Sequence, residues 1–235
     1  MQTVLEKIDA IILCGGKGER LASVGEGRPK ALINVAGRPF IDILMDDLLQ
    51  YGLKRFILSV GYLKEQMKSH FSKTDILVEF SEEDAPLGTG GAIKRAAAYM
   101  HSSSFLVLNG DSICRTDLLK LYHFHIEKNG IVSMVLTKPL PGEDYGIVEM
   151  DESQRITRFA EKTVSNPASL VNAGIYFMKK EIISQMPGRD AFSLEYELFP
   201  KIVHLGCYGF RSGSPLIDIG TPERLAQANL LLAQG

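Results

Sequence analysis

Cysteine is scarce. Cys14, Cys114 and Cys207 are odd in number and widely separated, so they supply neither a disulfide framework nor a paired metal spacing. They read as buried free thiols in a reducing compartment. An excess of charge of either sign is also lacking. The 26 Lys and Arg against 28 Asp and Glu leave a formal net charge of −2, which gives no basic footprint for a nucleic acid. No apolar run approaches the roughly 20 residues of a membrane span, and Glu6, Lys7 and Asp9 break up what a signal peptide would need as its apolar core. Repeats, low-complexity tracts and linkers are missing too. Together these absences point to a cytoplasmic protein whose partners are neither nucleic acid nor membrane. With 235 residues, 45% of them hydrophobic, the chain can bury the core of one large α/β domain.

What the sequence does have is concentrated between Leu13 and Lys30. An apolar run from Ala10 to Cys14 ends in Gly15, Gly16 and Gly18, interleaved with Lys17 and followed by Arg20 and Pro29-Lys30. Glycines leave room for a bulky anion against the backbone N–H groups, and the cations supply compensating charge. The spacing suits a loop that grips a triphosphate. It is not a dinucleotide fingerprint, because Leu21 stands where the third glycine would be, and neither Gly15 nor Gly16 begins a P-loop.

Short β-rich runs alternate with helical patterns, which predicts a mostly parallel sheet covered on both faces. Strands are expected at 8–14, 55–60, 76–80 and 105–108, with helices at 40–51, 63–71, 87–100 and 117–128. After residue 130 the pattern turns more antiparallel, with strands at 131–137, 146–150, 156–159, 170–177, 208–210 and 216–218. Helical segments are expected at 180–186 and at 193–203, where Pro200 would bend or end the helix. A last helix opens with Thr221 as N-cap and Pro222 in its first position.

Several polar groups fall at strand ends. Asn109-Gly110-Asp111 follows a wholly apolar strand, where open α/β sheets place their ligands, and Asp111 could hold Mg2+ beside the anion on the glycine loop. The string is equally a favoured turn. Asp218, flanked by isoleucines, is costly to bury unpaired, so it either caps or holds a charge, and a Mg2+ shared with Asp111 would explain both. Glu161-Lys162 and Asn172-Ala173-Gly174 follow later strands. A lysine there could neutralise a sugar phosphate, and Glu with Asn could meet sugar hydroxyls. His123 and His125 are two apart on a predicted helix and read as structural.

Taken in order, Gly-Gly-x-Gly-x-Arg, Pro29-Lys30, Asn109-Gly110-Asp111, Glu161-Lys162, Asn172-Ala173-Gly174 and Ile217-Asp218-Ile-Gly-Thr-Pro222 resemble the sugar-1-phosphate nucleotidyltransferases over nearly the whole chain. Gly37-Arg-Pro-Phe40, Ser59-Val-Gly-Tyr-Leu63, Pro86-Leu-Gly-Thr-Gly-Gly-Ala92, Tyr145-Gly-Ile-Val-Glu149 and Phe192-Ser-Leu-Glu195 are most similar to the branch that joins GTP to a heptose 1-phosphate. The resemblance implies a doubly wound, mostly parallel mixed sheet, Rossmann-like and GT-A-like. It also implies a single domain over 1–235, with a nucleotide lobe to about 130 and a smaller sugar-phosphate lobe after it.

In that family pattern Leu13, Gly15, Gly16, Gly18, Glu83, Gly88, Thr89, Asn109 and Gly110 would contact the nucleotide. Gly146, Glu161, Lys162 and Asn172 would contact the sugar phosphate. Arg20, Lys30, Asp111, Lys162 and Asp218 would be catalytic, with Mg2+ on Asp111 and Asp218. Glu83 is the candidate reader of guanine, whose adjacent N1–H and N2 amino donors suit a carboxylate; Glu82 is its rival. Many relatives carry Thr where Glu19 stands, and Gly-Glu-Arg is familiar from N-acetylmuramate 1-phosphate uridylyltransferases, which keeps UTP as an alternative. The Glu19 side chain is expected to point away from the triphosphate. No carboxy-terminal β-helix follows the last helical pattern, so that route to trimers is not expected, and a homodimer stays open. Two other classes compete. A regulatory module that had lost the chemistry would be expected to lack a metal carboxylate or Lys30, and a nicotinamide-dependent oxidoreductase is weakened by Leu21.

Overall fold

The computed structural model describes residues 3–21, 27–139, 146–160 and 169–233. In chain order the elements are β1 (Asp9–Leu13), β2 (Asn34–Val35), β3 (Arg38–Pro39), α1 (Phe40–Gln50), β4 (Arg55–Val60), α2 (Lys64–Phe71), β5 (Val78–Glu82) and α3 (Gly88–Ala96). Then come β6 (Ser104–Asn109), β7 (Ser112–Ile113), α4 (Leu118–Lys128), β8 (Val132–Thr137), β9 (Ile147–Met150), β10 (Ile156–Ala160) and β11 (Leu170–Lys179). The chain closes with α5 (Phe199–Ile202), β12 (Cys207–Arg211), β13 (Ile217–Asp218) and α6 (Pro222–Leu232).

Nine strands form one sheet in the order β10-β9-β11-β6-β1-β4-β5, with β8 beside β11 and β12 beside β8. The strands β6, β1, β4 and β5 run parallel, and their apolar residues alternate between the two faces. Ala10, Ile12, Phe56 and Leu58 pack under α1, α2 and α6, whereas Ile11, Ile57, Phe105 and Val107 pack under α3 and the 192–202 segment. Burial on both faces is why these strands read as nearly continuous apolar runs. Chain order reverses between β1 and β6, so a crevice opens beyond their carboxyl ends, where doubly wound sheets hold ligands. This mixed, mostly parallel architecture agrees with the expectation from sequence.

The strand β11 joins the two styles of sheet. It runs antiparallel to β6, β8 and β9, and its register with β8 shifts between Asn172 and Tyr176. Gly174 sits in that shift with φ of +72°, and a Cβ there would lie 2.5 Å from Asn109 Nδ2. Only glycine lets the end of β6 press against β11 at this point.

Some expectations are corrected. The third strand lies at Val78–Glu82 rather than 76–80, because its pairing with β4 continues to Val60 opposite Glu82. The strand β12 is parallel to β8 within the antiparallel half. Residues 193–203 are helical as expected, but in successive wide, α and 3-10 turns rather than one regular helix. Leu194–Leu198 form a wide turn in which Leu198 N–H reaches back to Ser193 O at 3.3 Å, and Pro200 stands near the start of α5 instead of ending a helix. Residues Lys180–Gln185 are helical as expected, in the tighter 3-10 form. The hairpin β2–β3 and the two-residue strand β7 are additions. All three cysteines are free and buried, as expected; burial raises each thiol's pKa, that of Cys207 to about 12.

Candidate active site

The apolar strand β1 ends at Leu13, and the glycine stretch follows it directly. Gly110 N–H donates to Leu13 O at 2.9 Å, stitching the end of β6 to the start of the glycine loop. A Cβ on Gly110 would stand 2.5 Å from Cys14 Sγ and 2.8 Å from that carbonyl oxygen, so the closeness requires glycine. The stitch delivers Asp111 beside the loop.

Asp218 arrives from far along the chain. The strand β13 pairs antiparallel with β7, setting Asp218 opposite Ser112, and Ile219 N–H donates to Asp111 O at 3.0 Å. Both aspartates therefore lie on one small ribbon beside the crevice, and each meets a cation. Lys30 Nζ lies 2.5 Å from Asp111 Oδ2, and Arg224 Nη1 lies 2.9 Å from Asp218 Oδ2. Gly220 N–H donates to Asp218 Oδ1 at 2.7 Å. The Asp218 side chain is only 11% exposed, so backbone and guanidinium together carry the cost of burying it. Three of these residues converge at one point: a Cβ on Gly220 would meet Asp218 Oδ1 at 2.8 Å, Lys30 Nζ at 3.6 Å and Arg224 Nη1 at 3.8 Å.

The crevice is a cleft of about 980 Å³, the size of a pocket for a nucleotide and more. Gly16, Gly18, Arg20, Lys30, Asp111, Asp218, Thr89, Asn109, Gly146 and Asn172 line it, which brings both sets of sequence-derived candidates to one cavity. Lys17 lines it as well. So does Glu19. Other candidates stand behind the lining. Leu13 and Gly110 supply the stitch, Gly15 backs onto Glu83, and Gly88 packs on the Phe192 carbonyl. Glu161 and Lys162 lie outside the described residues.

Glu83 is 8% exposed, and both of its oxygens have internal partners: Ser59 Oγ donates to Oε1 at 2.8 Å and Leu87 N–H to Oε2 at 3.1 Å. Its rival Glu82 is a half-buried partner of Lys64 and Lys68. His125 is buried against Phe177, with Nδ1 2.9 Å from Ser133 Oγ, in keeping with a structural role.

Three participants have no role in the sequence reading. Arg224 sits in the first turn of α6, where Thr221 caps it, and the need of a buried Asp218 for a cation was the signal available. Glu195 and Tyr196 also line the cleft, from the wide turn that a helical reading of 193–203 had absorbed. Among the described residues no group of three or more His, Cys, Asp or Glu side chains could hold a metal by itself. The Asp111–Asp218 pair nevertheless fits Mg2+, which commonly takes one or two carboxylates and completes its shell with substrate phosphates and water. No helix among the described residues is long and apolar enough to cross a membrane.

A mostly parallel sheet with its ligand crevice at the switch point and paired aspartates beside a glycine loop defines a nucleotide-handling class. The chain belongs to the nucleotidyl transferase family, whose model matches residues 9–235. It is 34% identical over 228 residues to the D-glycero-alpha-D-manno-heptose 1-phosphate guanylyltransferase of Aneurinibacillus thermoaerophilus, covering 95% of this chain and 98% of that one. It is 32% identical over 235 residues to the mannose-1-phosphate guanylyltransferase of Mycobacterium tuberculosis, but there it spans only 66% of the relative's length. The crystal structure of HddC from Yersinia pseudotuberculosis complexed with GMP-PN superposes with a TM-score of 0.84 at 32% identity, covering 96% of this chain and 99% of that one. The resemblance carried by the motifs is thereby borne out.

Proposed function

We propose that this protein is a guanylyltransferase that joins GTP to a sugar 1-phosphate, D-glycero-α-D-manno-heptose 1-phosphate, giving GDP-heptose and pyrophosphate in the cytoplasm for a surface polysaccharide. The observation that carries it is the convergence of Asp111, Asp218, Lys30 and Arg224 beside the glycine loop in one cleft. The heptose is favoured because the heptose relative aligns with this chain along 98% of its own length. Mannose 1-phosphate is the second reading, supported by 32% identity to a mannose relative across 97% of this chain.

The sugar phosphate is already an anionic nucleophile, so the site needs no general base. An oxygen of the sugar phosphate bonds to the α-phosphorus, the bond from that phosphorus to the bridging oxygen breaks, and its electron pair leaves with pyrophosphate. The chain's task is to bring two anions into line and hold the charge that leaves. The glycine loop offers backbone N–H groups to the triphosphate, and Arg20 and Lys30 hold the departing pyrophosphate. Lys162 neutralises the incoming phosphate, while Gly146, Glu161 and Asn172 meet the sugar. Asp111 and Asp218 would hold Mg2+, which when bound neutralises charge shared between the two phosphates. Lys30 and Arg224 then do double service, since they balance the aspartates until metal and phosphates arrive. Glu83 and the Gly88-Thr89 turn border the base.

A panel of four nucleoside triphosphates against heptose, mannose, glucose and N-acetylmuramate 1-phosphates, read as pyrophosphate release, tests the proposal. GTP with a manno-configured sugar phosphate is the expected pair. Preference for UTP with N-acetylmuramate 1-phosphate would replace it, and no release from any pair would favour a regulatory module.

A further inference from the structure

Glu195 stands in the cleft with half of its carboxylate spoken for. Thr89 Oγ1 donates to Glu195 Oε2 at 2.7 Å, and Ser193 Oγ donates to the same oxygen at 2.8 Å. Both hydroxyls are themselves held, since Thr89 Oγ1 accepts from Leu194 N–H at 2.9 Å and Ser193 Oγ accepts from Tyr196 N–H at 3.3 Å. The side chain is thus fixed through one oxygen. Among the described residues Oε1 accepts no hydrogen bond, and no Lys or Arg forms an ion pair with Glu195. This sets it apart from Asp111 and Asp218, which each have a cation at hydrogen-bonding distance.

A carboxylate without a cation repels phosphate and attracts neutral O–H and N–H donors. Its surroundings favour hydroxyls. Tyr176, fully buried on β11, accepts from Asn172 Nδ2 at 2.7 Å. Burial, and then the Glu195 charge, push the pKa of that phenol well above its ordinary value, so Tyr176 stays a neutral hydroxyl. Asn172 lines the same cleft. Among the described residues that line this side of the cleft, Glu195 is the one carboxylate; it lacks a partnering cation and presents a fixed acceptor amid apolar neighbours such as Val148, Phe159 and Pro200.

We infer that Glu195 is a specificity-determining residue whose Oε1 accepts a ring hydroxyl of the sugar 1-phosphate. The inference rests on the sugar-1-phosphate reading of the cleft. The other available source of a donor is the N–H edge of the base, because Thr89 belongs to the turn assigned to the nucleotide.

Glu195→Gln separates these. The amide oxygen can keep the Thr89 and Ser193 hydroxyls, and the NH2 then replaces an acceptor by a donor at the open position. KM for heptose 1-phosphate and for mannose 1-phosphate is expected to rise about tenfold to a hundredfold, KM for GTP to stay within about twofold, and the thermal midpoint to hold. Glu195→Asp, which keeps the charge but draws it back, should fall between. With ring-deoxy analogues of mannose 1-phosphate, one analogue should lose a similar factor in the wild type and little more in Glu195→Gln. A rise confined to GTP would give the carboxylate to the base instead. Unchanged sugar KM, or a uniform loss over all deoxy analogues with a lowered midpoint, would leave Glu195 as a mere tie between Thr89 and its turn. Calorimetric titration with mannose 1-phosphate needs no turnover. If wild-type enzyme released no pyrophosphate yet Glu195→Gln weakened that binding, the function would fail and the assignment would stand. Turnover by the wild type with an indistinguishable variant would sink the assignment alone.

Discussion

The two walls of the cleft handle charge in opposite ways. On the wall made by the glycine loop and the β7–β13 ribbon, every described carboxylate of the ribbon is matched: Asp111 by Lys30, Asp218 by Arg224 and a backbone N–H. On the wall made by β11 and the 193–198 turn, Glu195 is held only by hydroxyls, and Asn172 by a phenol and the Gly174 N–H. The ribbon can rearrange its charges when an anion or a cation arrives, because Asp111 and Asp218 each have a cation to exchange. The second wall cannot, and it suits neutral hydrogen-bonding groups. In a reaction between two phosphates, charge belongs where bonds change and neutral contacts belong where substrates are told apart.

The largest effects should come from breaking the charged wall. On the proposed reading, Asp111→Asn and Asp218→Asn each lower turnover by at least about a hundredfold. Combining them should add little, since both act through one ion. Near-normal turnover of either variant at moderate Mg2+ would separate the two aspartates and remove the shared metal.

Glu83 sharpens the comparison from behind the lining. Its carboxylate is buried and engaged by Ser59 and Leu87, but each oxygen retains acceptor capacity. Glu83→Gln can keep both internal bonds, because the Ser59 hydroxyl can turn to accept, so stability should change little. If the base is read there, kcat/KM for GTP falls about tenfold while that for UTP falls less, the loss of one charged hydrogen bond. Equal losses for both nucleotides would make Glu83 a strut beneath Gly15 and the turn.

The smallest effect lies away from either wall. Burial pushes the His125 imidazole down to about 4, with Lys179 adding to the shift. The unfolded chain, with an ordinary histidine near 6.5, then binds more protons than the fold between those values. Stability from this residue is complete above about pH 6.5 and drains away as pH falls toward 4, by on the order of 3 kcal/mol. Thermal midpoints measured across that window should slope in the wild type and flatten in His125→Leu. An unchanged slope would place the acid sensitivity elsewhere.

How much of this could be read from residues depended on length and pairing. Strand β4 was bounded correctly at Arg55–Val60, and α6 was opened correctly by Thr221 and Pro222, because apolar runs and caps are local signals. The glycine loop, Asp111 and Asp218 were found from their residue types. Their meeting could not be, because it depends on two-residue strands that carry no periodicity. Arg224 was hidden for the same reason. Glu195 stood in the Phe192-Ser-Leu-Glu195 string without a role, because a helical pattern over 193–203 does not show that its first turn docks Phe192 and Leu194 against α3. There Gly90 N–H donates to Phe192 O at 3.0 Å, a tertiary contact that overrides local preference.

The central claim, transfer at the α-phosphorus of GTP, is tested most directly by following label. With GTP labelled at the α-phosphate, heptose 1-phosphate and Mg2+, label should appear in a GDP-sugar at the same rate as unlabelled pyrophosphate, and GTP labelled at the γ-phosphate should place its label only in pyrophosphate. Release of γ-label as inorganic phosphate, or of α-label as GMP without a sugar conjugate, would contradict it.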